Sequence, residues 1–229
     1  MRKGEMRRKT ILDAAERLFY TKGYEATSIQ DILDELELSK GGFYHHFESK
    51  MSLLEAICEA QAGASVQAMQ EAVANCPGGA ADRLNALFAK GGLYSGERVD
   101  FVGLLIRVAY RGEGHILREK MKRATIDGAL PLINEIIHAG IEQGAFFCRF
   151  PDEIGELLLL LFANLSDEIA QLVASRPDDA AAILGKLEVY RYAMEALLNA
   201  PYGSVVVFEL ERVNQLIRAL AEQEHRFDE

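Results

Sequence analysis

Apolar residues recur at three- and four-residue steps along most of the chain, the spacing that lines one face of an α-helix. Over residues 7–22, Ile11, Leu12, Ala15, Leu18 and Phe19 fall on one side, and Gly23 stands where a left-handed residue would close the helix. Thr27 reads as the next N-cap, with Gln30 completing a capping box and Ile29, Ile32, Leu33 and Leu36 forming the face of a short second helix. Ser39 opens a third short helix, SKGGFYHHF, in which Phe43 and Phe47 lie one turn apart; Ser49 starts a longer fourth helix through Met51, Leu54, Ile57 and Cys58.

Beyond residue 50 the predicted helices lengthen. Loop signals at 75–80, 90–96 and 111–114 separate them, and 100–110 and 117–144 read as helices, the second open to a break at Pro131. Residues 152–174 are apolar nearly all round and need partners on more than one side. A helix opening at Pro177, Asp178 and Asp179 carries Ile183, Leu187, Tyr190, Met194 and Leu197. A last one follows the break at 201–204, with Val206, Leu210, Val213, Ile217 and Leu220, although its opening VVVF has strand propensity. The expected fold class is all-α: an N-terminal three-helix helix-turn-helix domain over residues 1–50 and a C-terminal helical domain over 51–229.

Composition supports a folded chain: of 229 residues, 49% are hydrophobic and 26% charged, ample for a core and outside the disordered class. The net charge of −10 argues against a protein that coats nucleic acid by bulk positive charge, but the charge is unevenly spread. The first fifty residues hold nine basic and nine acidic groups, so the remainder carries the whole −10, and the first nine residues alone are +4. That basic start is either a solvated end or an arm that tracks DNA. Asp13, Glu16 and Arg17 interrupt any signal-peptide core, and the most apolar run, 157–165, falls far short of the roughly 20 residues that span a bilayer. A soluble, cytoplasmic protein is expected. Cys58, Cys76 and Cys148 are odd in number and lack a CxxC pair, which implies neither a disulfide framework nor a zinc site, and no cofactor is called for.

The segment GYEATSIQDILDELELSKGGFYHHFESKMSLL resembles the DNA-binding signature of the TetR family of bacterial transcription regulators, with the likeness running from about Thr10 to Leu54. Gly-Tyr followed by Thr-Ser, Ser-Lys-Gly, Phe-Tyr-His-His-Phe and Ser-Lys all fall at family spacing. Ser39 can cap the third helix and offer its hydroxyl to a phosphate, and Lys40 can reach a phosphate or a base edge. Gly41 and Gly42 each cost a helix about 1 kcal/mol against alanine. Close approach to DNA or a helix that orders on binding would account for them. The resemblance implies that Tyr44 and His46 contact phosphate, that His45 faces the groove, and that Lys50 binds phosphate; Thr27 and Ser28 start a helix whose amides can hold another. Adjacent helical histidines point about 100° apart and make a poor metal pair. Glu37 departs from the family, which usually has a small residue at this turn, so it must accept an awkward backbone angle and places negative charge near DNA.

A single reader covers few base pairs, so the expected partner besides double-stranded operator DNA is a second copy of the chain. The resemblance implies that two late helices of each subunit form the dimer interface and that residues 55–150 hold a small-molecule effector. Phe88, Tyr94, Phe101, Tyr110, His115 and Met121 are the candidate lining, with Arg107, Arg111 and His115 able to select an anion. The expected function is a ligand-responsive repressor released from a palindromic operator by its effector; a constitutive DNA-binding factor of the same family is the alternative. An adaptor that has lost DNA binding has only Glu37 in its favour. No Gly-rich phosphate loop, HExxH or GxSxG marks an enzyme.

Overall fold

A computed structural model gives the arrangement of residues 3–91, 114–176 and 179–208. Every regular element among them is an α-helix: α1 (Lys3–Thr21), α2 (Ile29–Glu35), α3 (Lys40–Tyr44), α4 (Lys50–Ala74), α5 (Ala80–Lys90), α6 (Gly114–Glu142), α7 (Pro151–Ser175) and α8 (Ala180–Leu198). The helix expected over 100–110 and most of the one after Pro201 lie outside the described residues.

Local chemistry sets the boundaries. α1 starts at Lys3, so Arg7, Arg8 and Lys9 sit on its exposed early turns rather than on a separate arm. Gly23, at φ 91°, ends the first segment as the sequence implies. The second cap is one residue downstream of the expected one. Ser28, not Thr27, accepts the Asp31 amide at 3.1 Å, and the Asp31 carboxylate accepts the Ser28 N–H at 2.6 Å, so Asp31 replaces Gln30 in the box. Thr27 is buried because the Gly23 turn folds it back under α1, where its hydroxyl donates to the Gly23 carbonyl at 2.7 Å beside that of Leu18 at 3.2 Å. Ser39 and Ser49 cap α3 and α4 as expected. Pro131 does not break α6: it is exposed, and so is Asp127, whose carbonyl loses its helical partner to the proline.

Two apolar clusters organise the molecule. The first joins Ile11, Phe19, Ile32, Leu33, Phe43 and Phe47 to Leu53, Leu54, Ile57 and Cys58 of α4. The second gathers Met69 and Val73 of α4 with Leu84 and Phe88 of α5, Ile133 and Ile136 of α6, Leu158, Phe162 and Leu165 of α7, and Met194 and Leu198 of α8. Each such side chain adds roughly 1.5–3 kcal/mol by leaving water. α4 therefore runs across the expected boundary at residue 50 and belongs to both cores, which makes it the rigid link between them. α6 and α7 approach closely at Gly155, where a Cβ would fall 1.9 Å from Asn134 Oδ1. After α8, residues 201–208 run as irregular chain rather than as the start of a helix, with Val205 and Val207 buried in the second core. Among the described residues no helix is long and apolar enough to cross a membrane.

Candidate nucleic-acid interface

The turn between α2 and α3 is closed by two backbone bonds, Glu37 N–H to the Asp34 carbonyl at 3.4 Å and Leu38 N–H to the Leu33 carbonyl at 2.9 Å. Leu38 packs into the first core, and Glu37 between them takes the left-handed conformation at φ 49°. That is the strained angle its place in the turn implies, and a residue with a Cβ occupies it at a cost of about 1–2 kcal/mol.

α3 is short and held from both ends. Ser39 accepts the Gly42 amide at 3.2 Å, while Phe43 and Phe47 anchor the inner side in the core. Anchoring those rings turns Lys40, Gly41, Tyr44 and His45 outward, with Tyr44 52% exposed. A Cβ at Gly41 would meet nothing within 4 Å, so nothing inside the protein excludes a side chain there. His45 caps the C-terminus of α3 and half-buried His46 follows it, their rings 5.0 Å apart edge to face, off the helix on which the sequence places them. Ser28 is exposed at the start of α2. Thr27 cannot offer its side chain to a ligand from this conformation, a correction to its expected role.

Lys50 also differs from expectation. Its ammonium lies within 2.8 Å of the Tyr24 carbonyl, 3.0 Å of that of Thr27 and 3.4 Å of that of Glu25, and 4.3 Å from the centre of the Tyr24 ring. A lysine has three donors, and all three find acceptors in the loop between α1 and α2. Where the family resemblance gives Lys50 a phosphate, the structure gives it the protein's own backbone. Burial raises the Tyr24 phenol above its ordinary value, with Glu25 adding to the effect. Other charges of this domain are also engaged: Arg17 pairs with Glu35, and Lys22 with Asp31 at 2.7 Å. The Lys22 bond, followed by those from Ser28, holds the Asp31 carboxyl well below the usual carboxylate range.

The expected effector residues do not converge. Phe88 is fully buried and stacks on Phe162 at 4.8 Å. Met121 packs against the first core instead, beside the Lys120–Glu55 ion pair at 2.9 Å that ties α6 to α4. Tyr94, Phe101, Arg107, Tyr110 and Arg111 lie outside the described residues, as does the side chain of His115. The sequence reading missed Asn85 and Glu195, whose roles depend on backbone ten or more than a hundred positions away. A charged residue in an otherwise apolar seam on α8 was the available signal for Glu195.

An all-helical chain with a short capped helix turned outward behind a tight left-handed turn is the architecture of a helix-turn-helix protein. Residues 11–57 match the family model for bacterial regulatory proteins of the tetR family. The chain belongs to that family. A Bacillus subtilis protein, an uncharacterized HTH-type transcriptional regulator called YerO, is 44% identical over 64 residues, 28% of this chain and 22% of that protein. The first three relatives are matched over only 22%, 26% and 16% of their lengths. The Escherichia coli HTH-type transcriptional repressor NemR is 27% identical over 177 residues, 72% of this chain and 85% of the relative. Its reduced form, at 21% identity, shares the fold with a TM-score of 0.54 over 86% of this chain and 98% of that one. A TetR-family regulator from Pectobacterium atrosepticum does so with a TM-score of 0.61 at 18% identity, over 86% of this chain and 97% of the other.

Proposed function

We propose that the chain is a cytoplasmic DNA-binding transcription regulator and not an enzyme, a repressor that binds a palindromic operator as a homodimer and is released by a small-molecule effector. Residues 1–50 read DNA, and 51–229 sense and dimerise. The observation that carries this reading is the outward face of α3, where Lys40, Gly41, Tyr44 and His45 stand exposed on a helix anchored by Phe43 and Phe47. Ser28, Ser39 and His46 flank that face and complete the set of phosphate and groove contacts. Thr27 and Lys50 act behind it by fixing the loop before α2. The repressor named among the longer matches favours the same sign of regulation.

A second copy fits on α8. Ala181, Gly185, Val189, Tyr192 and Ala196 are all exposed along one stripe, roughly 22 Å long at 1.5 Å per residue, with Val189 64% and Tyr192 66% exposed. Leu184 of α8 and Leu157 of α7 extend this apolar surface, which no other described residue covers. Coupling between sensing and reading runs through Met121 and the Lys120–Glu55 pair, so that a shift of α6 moves α4 and with it the separation of the two α3 helices.

A salt-dependent gel shift of DNA from around the chain's own gene, lost in Tyr44→Ala, tests the reader; absence of binding at low salt contradicts it. Val189→Glu is expected to convert dimer to monomer in sedimentation and to weaken operator binding in parallel. Equal operator affinity with and without every effector tried would leave the constitutive reading in place of the responsive one.

A further inference from the structure

Residues 201–208 are held by bonds that ordinary packing does not require. The Asn85 side-chain amide donates to the Ser204 carbonyl at 2.9 Å and accepts the Val206 N–H at 2.8 Å, pairing with the segment as a neighbouring strand would. Glu195, only 4% exposed, accepts the Val205 N–H on Oε1 at 3.1 Å. Gly203, at φ 81°, turns the chain so that Val205 and Val207 enter the second core. Phe208 then stacks on Phe162 at 5.4 Å and 20°, which in turn stacks on Phe88, a three-ring pile reaching from the segment to α5.

Two polar atoms beside the segment lack partners. Glu195 Oε2 and Arg191 Nε, one turn apart on α8, are both buried without a hydrogen bond. A buried acceptor left without a donor costs about 1–3 kcal/mol, so the place is suited to a group that brings one. Arg191 already counters the charge of Glu195. What the site lacks is therefore an uncharged donor and not a second cation.

We propose that residues 201–208 are a self-ligand: they occupy a site for a flat, uncharged aromatic molecule bearing an N–H donor. Such a ligand would take the ring position of Phe208 on Phe162 and supply Glu195 with the N–H that Val205 now provides. Displacement of the strap is the event the ligand would drive. This inference rests on the effector-responsive reading for its consequence at DNA, but the site itself does not.

The test uses the full-length protein with indole as probe and benzofuran, its counterpart without an N–H, as control. Phe208→Ala removes the third ring from a half-buried position, and Asn85→Ala cuts both strap bonds. Each should bind indole about tenfold more tightly than the unmodified chain, because less of the binding-competent form is closed. Benzofuran should bind more weakly than indole. In the unmodified protein, saturating indole should speed hydrogen exchange at the Val205 and Val206 amides, a readout independent of how the variants fold. Indole affinity unchanged in both variants, or exchange at those amides unchanged or slowed by indole, overturns the proposal. Strap release by indole with no change in operator affinity would sink the regulatory reading while leaving the site in place; loss of the site with DNA binding intact would do the reverse.

Discussion

Replacing Lys50 by methionine keeps most of the side-chain stem and removes the ammonium, and the two roles open to this lysine predict opposite results. The structure places Nζ against three carbonyls of the loop between α1 and α2, at 2.8, 3.0 and 3.4 Å, and over the Tyr24 ring. A hydrogen bond from a charged donor contributes about 1.5–3 kcal/mol, and a cation over an aromatic ring about 0.5–1 kcal/mol where solvent reaches it. Lys50 is half-buried, so the low end applies, and Lys50→Met should destabilise the protein by about 2 kcal/mol in chemical denaturation. Because the ammonium is engaged internally, the slope of log affinity against log salt for operator DNA should stay unchanged while affinity itself falls. A phosphate contact would do the reverse: the slope would drop by about one unit with stability preserved. That second pattern, read by fluorescence anisotropy over a salt series, would refute the clamp.

Three further predictions follow from local features. Glu37→Gly should raise stability by about 1 kcal/mol by relieving the left-handed strain, seen as a higher denaturant midpoint at constant slope, and should tighten operator binding by removing a negative charge; a lower midpoint contradicts it. Asp31 is lowered by Lys22 and then Ser28, and Glu168 by Lys186 and then Tyr190. A carboxyl depressed in the folded state adds stability that is complete above its unfolded pKa and lost as pH falls toward the folded one, so thermal stability should drop below about pH 4. Asp31→Asn combined with Glu168→Gln should flatten that acid limb, and a limb of unchanged steepness counts against both pairs. Burial, with smaller contributions from Glu55, Glu59 and Glu16, pushes the Cys58 thiol up to about 12. Native protein at about pH 8 should thus be alkylated at half-buried Cys76 and Cys148 while Cys58 stays unmodified; early labelling of Cys58 contradicts its burial.

What the sequence disclosed and what it hid divide along physical lines. Gly23 as a helix end, Ser39 and Ser49 as caps, and Phe43 and Phe47 as core are fixed by neighbours within a turn or two, and the spacing was enough. Glu37 was legible for the same reason. Thr27 and Ser28 are adjacent hydroxyls of equal capping ability, and which one caps depends on how the Gly23 turn folds back on α1. Lys50 meets backbone 23 to 26 residues upstream, and Asn85 meets the strap 119 and 121 residues downstream, contacts that no local pattern encodes. Phe88 and Met121 show the same limit from the apolar side: an aromatic or methionine at helical spacing reads alike whether it faces a cavity, its own core or the next domain.

The central claim is that the outward face of α3 reads DNA from two copies of the chain. Selection of binding sequences from a random duplex pool by the purified full-length protein tests it most directly. The account predicts inverted half-sites with centres about one helical turn apart, or a multiple of that, enriched by the unmodified protein and not by Tyr44→Ala. Enrichment of no sequence, or of the same sequences by both proteins, would contradict it.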